Sequence, residues 1–451
     1  MELPTEAELP RALTALGLPV LAEQLLTFCV GFFDVYLSGR LSSEATAAIG
    51  VAAYVSWLAS MISGLVGTGA GALVARVCGG GDIEEARRIT ARSLMLAAVL
   101  GVLILLGLQL GAPLFATLLD MRGSAERITI EYLRFDAFGQ MFACGTLIAA
   151  AALRGSGDMR TPLFVLGVTN VVNVLASSAC VFGWGPVPAM GVTGIVTGTL
   201  IAQATGLVLM LVMLSQPTCR LQLRLADVRW HAETAWRILR VGLPAALDGA
   251  ITFTGHFLFL MVIARLSSEG FDGAVFAAHV VGVRVEALSY LPAVAWGAAA
   301  ASLAGRLLGA NQPELAQKVG HIAVRQFLSY AVAVSLLFFL GAPWIYGAMH
   351  SDPAVAAVGV PAFRWLAWYQ VPNAVLIIYV FTLRGAGDTR FPLWCALISI
   401  LGVRVPVAYL GGIVLNYGLI GAWWGMGADN TLRAVLIAWR YAAGRWLRTK
   451  V

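Results

Sequence analysis

Charged residues are scarce in this sequence. Only 12% of its 451 residues are Asp, Glu, Lys or Arg, whereas 59% are apolar. A soluble domain carries roughly 25% charged residues, which cover its surface. This chain lacks the residues for such a surface, so its outside must face lipid, where each spanning helix needs roughly 20 mostly apolar residues. The composition therefore predicts a polytopic helical membrane protein.

Motifs of common enzymes, nucleotide-binding sites and metal sites are also missing. The sequence contains no HExxH, GxSxG or Gly-Lys-Ser/Thr motif, and its six cysteines are scattered without a CxxC pair. We interpret the cysteines as small buried apolar residues. The sequence therefore predicts neither an enzyme nor a bound cofactor.

Apolar runs separated by short polar breaks predict twelve membrane spans. The runs lie at 14–38, 46–74, 93–119, 132–152, 162–183, 191–214, 238–264, 274–304, 326–348, 364–383, 392–411 and 419–440. Most Lys and Arg residues lie in the breaks on one side, together with both termini. Basic residues favour the cytoplasmic side, so we expect both termini in the cytoplasm and the protein in the plasma (inner) membrane. This topology explains the net charge of +6 without a nucleic-acid partner.

An internal repeat divides the chain in two. LRGSGDMRTPLF at 153–164 recurs as LRGAGDTRFPLW at 383–394, and the Gly-Leu-Pro at 17–19 recurs at 242–244. Two six-helix lobes of equal orientation follow, related by a pseudo-two-fold axis along the membrane normal. The predicted divisions are an N-terminal lobe at 1–214, a cytoplasmic linker at 215–237 and a C-terminal lobe at 238–451.

These motifs and their order resemble the multidrug and toxic compound extrusion (MATE) family. The resemblance rests on the two RG-x-GD-x-R-x-P loops, the Gly-Leu-Pro openings, AAHVVGVRVEALS at 277–289 and GRLLGANQPELA at 305–316. The pattern of His279 and Glu286 resembles the DinF-like branch. The resemblance implies a monomeric exporter of amphipathic, often cationic organic compounds. H⁺ or Na⁺ would drive it, and a cavity between two lobes would open to each side in turn.

Acidic side chains inside the spans are the informative positions, because an ionisable group in the bilayer is costly unless it faces protein or water. Asp34 shares a helix face with Glu23, and burial favours the protonated form of a carboxyl, so we predict a proton site here. Asp34 also matches the first-helix aspartate of the MATE family. Glu23 and Asp248 lie four residues after Pro19 and Pro244, a symmetric placement that also suits a structural role.

Polar residues of spans 5 and 6 are further candidates for an H⁺ or Na⁺ site around Asp34. Asn170, Asn173 and Ser177 share one helix face, and Thr199 matches a threonine of the family. The family often carries an aspartate where this chain has Ser177, so a relay of two aspartates does not transfer intact. Hydrogen bonding between helices is the alternative role for these side chains.

The C-terminal lobe offers three candidates besides Asp248. His279 and Glu286 share a face of span 8, which suits either a second proton or substrate-cation site or a satisfied polar cluster. Asp429 and Arg433 lie one turn apart on span 12, so a local ion pair is the simpler interpretation.

Other functions fit the sequence less well. A flippase for lipid-linked precursors, with a related two-lobed fold, is the alternative transport function. A channel predicts rings of symmetric polar residues. The repeat partners of Asp34 and Glu286 are Phe259 and Ser56, however, and this asymmetry favours a carrier.

Overall fold

The computed structural model describes residues 3–39, 43–118, 123–184, 186, 188–268 and 273–449. Within these ranges the chain is helical and contains no β-strand. The helices are α1 Leu9–Gly39, α2 Ser43–Gly79, α3 Ile83–Leu118, α4 Ser124–Ser156, α5 Arg160–Phe182, α6 Val192–Ser215, α7 Ala232–Ser268, α8 Ala274–Gly309, α9 Pro313–Met349, α10 Pro353–Trp368, α11 Gln370–Gly385, α12 Arg390–Ser399, α13 Val405–Tyr409 and α14 Gly418–Ala442.

These helices confirm the predicted membrane fold. In the described part of the chain, ten helical segments are long and apolar enough to cross a membrane. α10 and α11 meet at Tyr369 with a bend of 51°, and they give an eleventh span if the bent pair is counted as one. α14 corresponds to the twelfth predicted span and carries Asp429 and Arg433 among its apolar residues.

Span 11 is an interrupted helix. π-helical turns at Ile400–Arg404 and Leu410–Val414 flank α13, so that α12, α13 and the two turns form one segment from Arg390 to Val414. A π-helical turn inserts an extra residue into a helix and shifts the direction of the side chains that follow. The first of these turns ends at Arg404, which is buried.

The chain divides into two compact units. One consists of Leu18–Gly242, and the other combines Met1–Gly17 with Leu243–Val451. Both boundaries fall inside the repeated Gly-Leu-Pro motif, after its glycine. The units differ from the predicted lobes because the first turns of α1 belong with the C-terminal half and those of α7 with the N-terminal half.

The linker is also shorter than predicted. α6 ends at Ser215 and α7 already begins at Ala232, within the predicted linker of 215–237. Glu233, Arg237 and Arg240 make the first turns of α7 polar. A prediction based on apolar runs therefore places the start of this helix too late. The pseudo-two-fold relation between the lobes stays a prediction.

Close helix contacts occur at repeat-related small residues in each unit. In one unit, a Cβ on Gly155 of α4 would lie 2.5 Å from the carbonyl oxygen of Gly71 on α2. In the other, a Cβ on Gly385 of α11 would lie 2.5 Å from the carbonyl oxygen of Ala301 on α8. Small residues let helix backbones approach closely in a membrane, where packing drives helix association.

Candidate functional site

Asp34 lies on α1 in the unit formed by residues 18–242. Its side chain is partly exposed, but its Oδ1 atom is buried and has no hydrogen-bond partner among the described residues. Nor does Asp34 form an ion pair with any Lys or Arg in those ranges. Within the described ranges, the predicted proton site is therefore a carboxyl with no fixed positive charge beside it.

Asp136 on α4 is a second carboxyl of the same unit. It is 4% exposed, and its Oδ2 atom accepts hydrogen bonds from Ser56 Oγ and Gln140 Nε2, each at 3.1 Å. The carboxyls of Asp34 and Asp136 are close enough to interact electrostatically. The structure thus places two acids together where the sequence indicated one.

The sequence prediction missed Asp136 because its predicted span began at residue 132. That boundary left Asp136 in the first turns, where an acid can remain hydrated. α4 in fact begins at Ser124, so that Asp136 lies roughly three turns inside the helix. Gln140, one turn later on the same face, was the signal that could have identified a buried acid.

The predicted polar cluster of spans 5 and 6 is partly assembled. Asn173 Nδ2 donates a hydrogen bond to Thr199 Oγ1 at 3.1 Å. Asn170 Nδ2 and Asn173 Oδ1 are buried with no partner in the described ranges. In those ranges no hydrogen bond joins this cluster to Asp34, so a Na⁺ site that includes both stays a prediction.

Ser177 lies at the contact between α5 and α6. Its side chain is completely buried, and its Oγ atom donates a hydrogen bond to the Ile195 carbonyl at 3.4 Å. A Cβ on Gly198 of α6 would overlap with the Ser177 backbone. This geometry favours the packing role for Ser177.

Glu23 and Asp248 each form an ion pair with an arginine of the repeated RG-x-GD motif. Glu23 pairs with Arg154, and Asp248 pairs with Arg384. Both acids are buried, at 7% and 4% exposure. Since each carboxylate already has a fixed cation, the contacts favour the structural role for both.

Asp429 lies at the centre of a buried network in the other unit. Its Oδ2 atom accepts from Arg404 at 2.6 Å and from Arg433 at 2.9 Å. Asn430 Oδ1 also accepts from both arginines. The predicted Asp429–Arg433 ion pair is present, and Arg404 completes it from span 11.

Glu286 is buried on α8 and pairs with an amide. Gln370 Nε2 approaches Glu286 Oε1 at 3.4 Å, while Gln370 Oε1 accepts from Ser289 Oγ at 2.6 Å. Arg404 is near enough to Glu286 for an electrostatic interaction, but its hydrogen bonds go to Asp429 and Asn430. Glu286 therefore remains a candidate for a second ion-binding carboxyl.

His279 lies in an aromatic environment. It is 2% exposed, and its Nδ1 atom accepts a hydrogen bond from Trp423 Nε1 at 3.2 Å. Its ring centroid is 5.7 Å from that of Phe259. A ring nitrogen that accepts a hydrogen bond carries no proton, so the geometry favours a satisfied core histidine.

Comparison with known proteins agrees with this fold and these motifs. The MatE family model matches residues 19–178 and 244–410, more than half of the chain. The chain is 29% identical to the probable multidrug resistance protein NorM of Thermotoga maritima, over 98% of this chain and 94% of that protein. It is 28% identical to the multidrug resistance protein PmpM of Pseudomonas aeruginosa, over 98% and 93%.

Solved structures show the same fold. An aspartate-to-asparagine mutant of the Vibrio cholerae MATE transporter VcmN superposes with a TM-score of 0.89 at 18% identity, over 97% of both chains. An outward-facing multidrug resistance MATE transporter of the MOP superfamily superposes with a TM-score of 0.88 at 22% identity, over both complete chains. This protein therefore belongs to the MATE family of membrane transporters.

Proposed function

We propose that this protein exports amphipathic, often cationic organic compounds in exchange for inward-moving H⁺ or Na⁺. Membership of the MATE family supports a transporter, and the multidrug resistance proteins among its relatives support organic substrates. We further propose a monomer that works by alternating access in the inner membrane, with both termini in the cytoplasm.

The observation that carries this proposal is that no arginine or lysine of the described residues forms an ion pair with Asp34. Glu23, Asp248 and Asp429 each have an arginine partner. Among the described residues, Asp34 and Glu286 form no ion pair. A carboxyl already neutralised by arginine has no need of a further cation, whereas an unpaired carboxyl in the membrane is stabilised by binding one. Asp34 is therefore the coupling residue that we propose first, and Glu286 is second.

Cation binding at Asp34 would drive transport by changing the relative stability of two conformations. A ligand shifts such an equilibrium only by its difference in affinity for the two states. Neutralising Asp34 removes a charge from the site and favours the state that releases substrate outward. One charge that crosses a membrane potential of 100 mV supplies about 2.3 kcal/mol, enough for a substrate gradient of roughly 50-fold.

Transport in proteoliposomes under separate gradients tests the proposal. Purified protein is reconstituted, and ethidium movement is followed by fluorescence under an imposed pH gradient, under an imposed Na⁺ gradient and with neither. We expect one of the two gradients to drive ethidium against its concentration. Equal ethidium flux under all three conditions would contradict a coupled antiporter. If the same liposomes move a lipid-linked precursor and no ethidium, the result would favour the flippase.

A further inference from the structure

Asp136 is buried, and the part of the chain that the structure describes places no positive charge to balance it. Within the described ranges, no Lys or Arg forms an ion pair with its carboxyl. Its two hydrogen-bond donors, Ser56 and Gln140, are both neutral. Gln140 Nε2 also donates to Ser56 Oγ at 2.9 Å, so the three side chains form one small network. Neutral donors offset only part of the free energy needed to bury a carboxylate.

Asp34 and Asp136 act on one another as like charges when both are ionised. Their carboxyls interact electrostatically, and Tyr132, one turn before Asp136 on α4, interacts with both. Two carboxylates that share a poorly hydrated site do not ionise together readily, and one proton relieves the repulsion for both. The arrangement suits the binding of a single proton by the pair.

No other titratable group in the described part of this unit offsets that repulsion. Residues 93–118 of α3 and all of α6 contain no titratable side chain. Tyr54 on α2 and Glu131 and Arg134 on α4 are exposed. On α1, Glu23 is already paired with its arginine.

A side-chain amide without a described hydrogen-bond partner lies near the Asp136 carboxyl. Gln203 Oε1 on α6 is buried and has no hydrogen-bond partner among the described residues. A Cβ on Gly139 would overlap with this oxygen and would lie 3.9 Å from Asp136 Oδ1. Glycine at this position therefore leaves the Gln203 oxygen and the Asp136 carboxyl facing a common space. A protonated carboxyl is a hydrogen-bond donor, which such an oxygen would accept.

We propose that Asp136 acts with Asp34 as part of the same coupling site and that Asp34 and Asp136 together hold one proton during the transport cycle. This inference rests on the proposed antiport function and specifies H⁺ as the ion bound in this unit. The proton leaves the pair when the site opens to the cytoplasm and returns when it opens outward.

The test is the pH dependence of ethidium binding to the full chain in nanodiscs, measured by fluorescence polarisation between pH 5 and 9. In Asp136→Asn the remaining carboxyl no longer faces a like charge, so the midpoint should fall by roughly one pH unit or more. Ser56→Ala removes a donor that stabilises ionised Asp136, so the midpoint should rise. Ser63→Ala is the matched control on α2, because Ser63 bonds the Ala59 carbonyl and the Cys144 thiol and neither of the two carboxyls, and its midpoint should stay at the wild-type value.

Other outcomes would overturn the shared proton. An Asp136→Asn variant that loses binding amplitude at an unchanged midpoint would assign Asp136 a structural role. If that variant fails to fold, an unchanged midpoint in Ser56→Ala would assign the same structural role. Ethidium binding that changes with Na⁺ concentration at fixed pH, with no pH midpoint in the absence of Na⁺, would show that the pair binds Na⁺ instead.

A second readout separates this inference from the proposed function. Infrared difference spectra record protonation of buried carboxyls in the absence of ethidium. A wild-type protein that moves no ethidium under any gradient would overturn the proposed function, while a titrating carboxyl band lost in both Asp34→Asn and Asp136→Asn would still support the shared proton. Ethidium transport with an unchanged band in Asp136→Asn would overturn only the inference about Asp136.

Discussion

Glu23 of α1 forms an ion pair with Arg154 of α4 inside the unit of residues 18–242. One repeat later, Asp248 of α7 forms the same pair with Arg384 of α11. Each acid lies four residues after a proline within its helix. Both halves of the repeat thus contain an acid–arginine contact that joins the first helix of the half to its RG-x-GD loop.

Removing one partner of this contact should destabilise the protein. Glu23→Gln leaves Arg154 without its carboxylate, and we expect a loss of about 2–4 kcal/mol in the free energy of unfolding. The loss is smaller than for a fully enclosed pair because the Arg154 side chain retains 22% exposure. Thermal unfolding in detergent measures it.

The double variant Glu23→Gln with Arg154→Gln is the control. It removes both charges and should recover part of the lost stability. A double variant whose loss of stability equals or exceeds the sum of the two single losses would contradict a direct pairing.

The Asp429 network should be more sensitive than the pairs of the RG-x-GD loops. Asp429→Asn leaves Arg404 and Arg433 as two like charges in a buried site, so we expect a loss of about 3–5 kcal/mol. Arg433→Gln should be milder, since Arg404 still neutralises Asp429 and the Arg433 side chain is 13% exposed. The order of the two thermal midpoints is the measurement, and the reverse order would be inconsistent with this network.

Trp423→Phe should affect stability but not the pH profile of transport. The substitution removes the donor to His279 Nδ1, at a cost of about 1 kcal/mol. Because His279 is a packed core residue, the pH at half-maximal ethidium transport should stay unchanged. Trp424→Phe, at the adjacent position, is the control variant. A pH profile that shifts in Trp423→Phe but not in Trp424→Phe would instead support His279 as a proton-binding residue.

Membrane orientation is tested by labelling single cysteines. Thr218→Cys in the linker should resist an impermeant thiol reagent added outside intact cells, whereas Ser351→Cys between α9 and α10 should react. The background variant lacks Cys29, which is exposed, and Cys219. Burial raises the pKa of the Cys219 thiol and slows its reaction, but its position next to residue 218 makes its removal necessary. The opposite labelling pattern would invert the predicted topology.

The spans were predictable because apolar runs of membrane length have few alternatives, but their ends were not. α9 begins at Pro313 instead of 326, and its first turns carry Glu314 and Lys318. Such turns extend beyond the apolar region, so hydropathy excludes them. The same effect concealed the start of α4, and with it the burial of Asp136.

The sequence predicted most of the acidic residues of the candidate site, but it did not predict which arginines pair with them. The pairing of Asp429 with Arg433 follows from their spacing on one helix. The arginines of Glu23 and Asp248 lie 131 and 136 residues away, on helices whose contacts no local pattern specifies. Which acids lack an arginine, and so remain available to a mobile cation, is therefore a property of the tertiary structure.

The most direct test of the coupling role of Asp34 compares Asp34→Asn with Glu286→Gln in gradient-driven ethidium transport. Both variants replace a carboxyl that has no arginine partner among the described residues with its amide, which mimics the protonated acid. Both must first show wild-type amounts of folded protein in the membrane. We predict that Asp34→Asn abolishes gradient-driven transport while ethidium binding persists, and that Glu286→Gln retains at least part of the transport. Full transport in Asp34→Asn together with its loss in Glu286→Gln would contradict this role and place coupling in the C-terminal half.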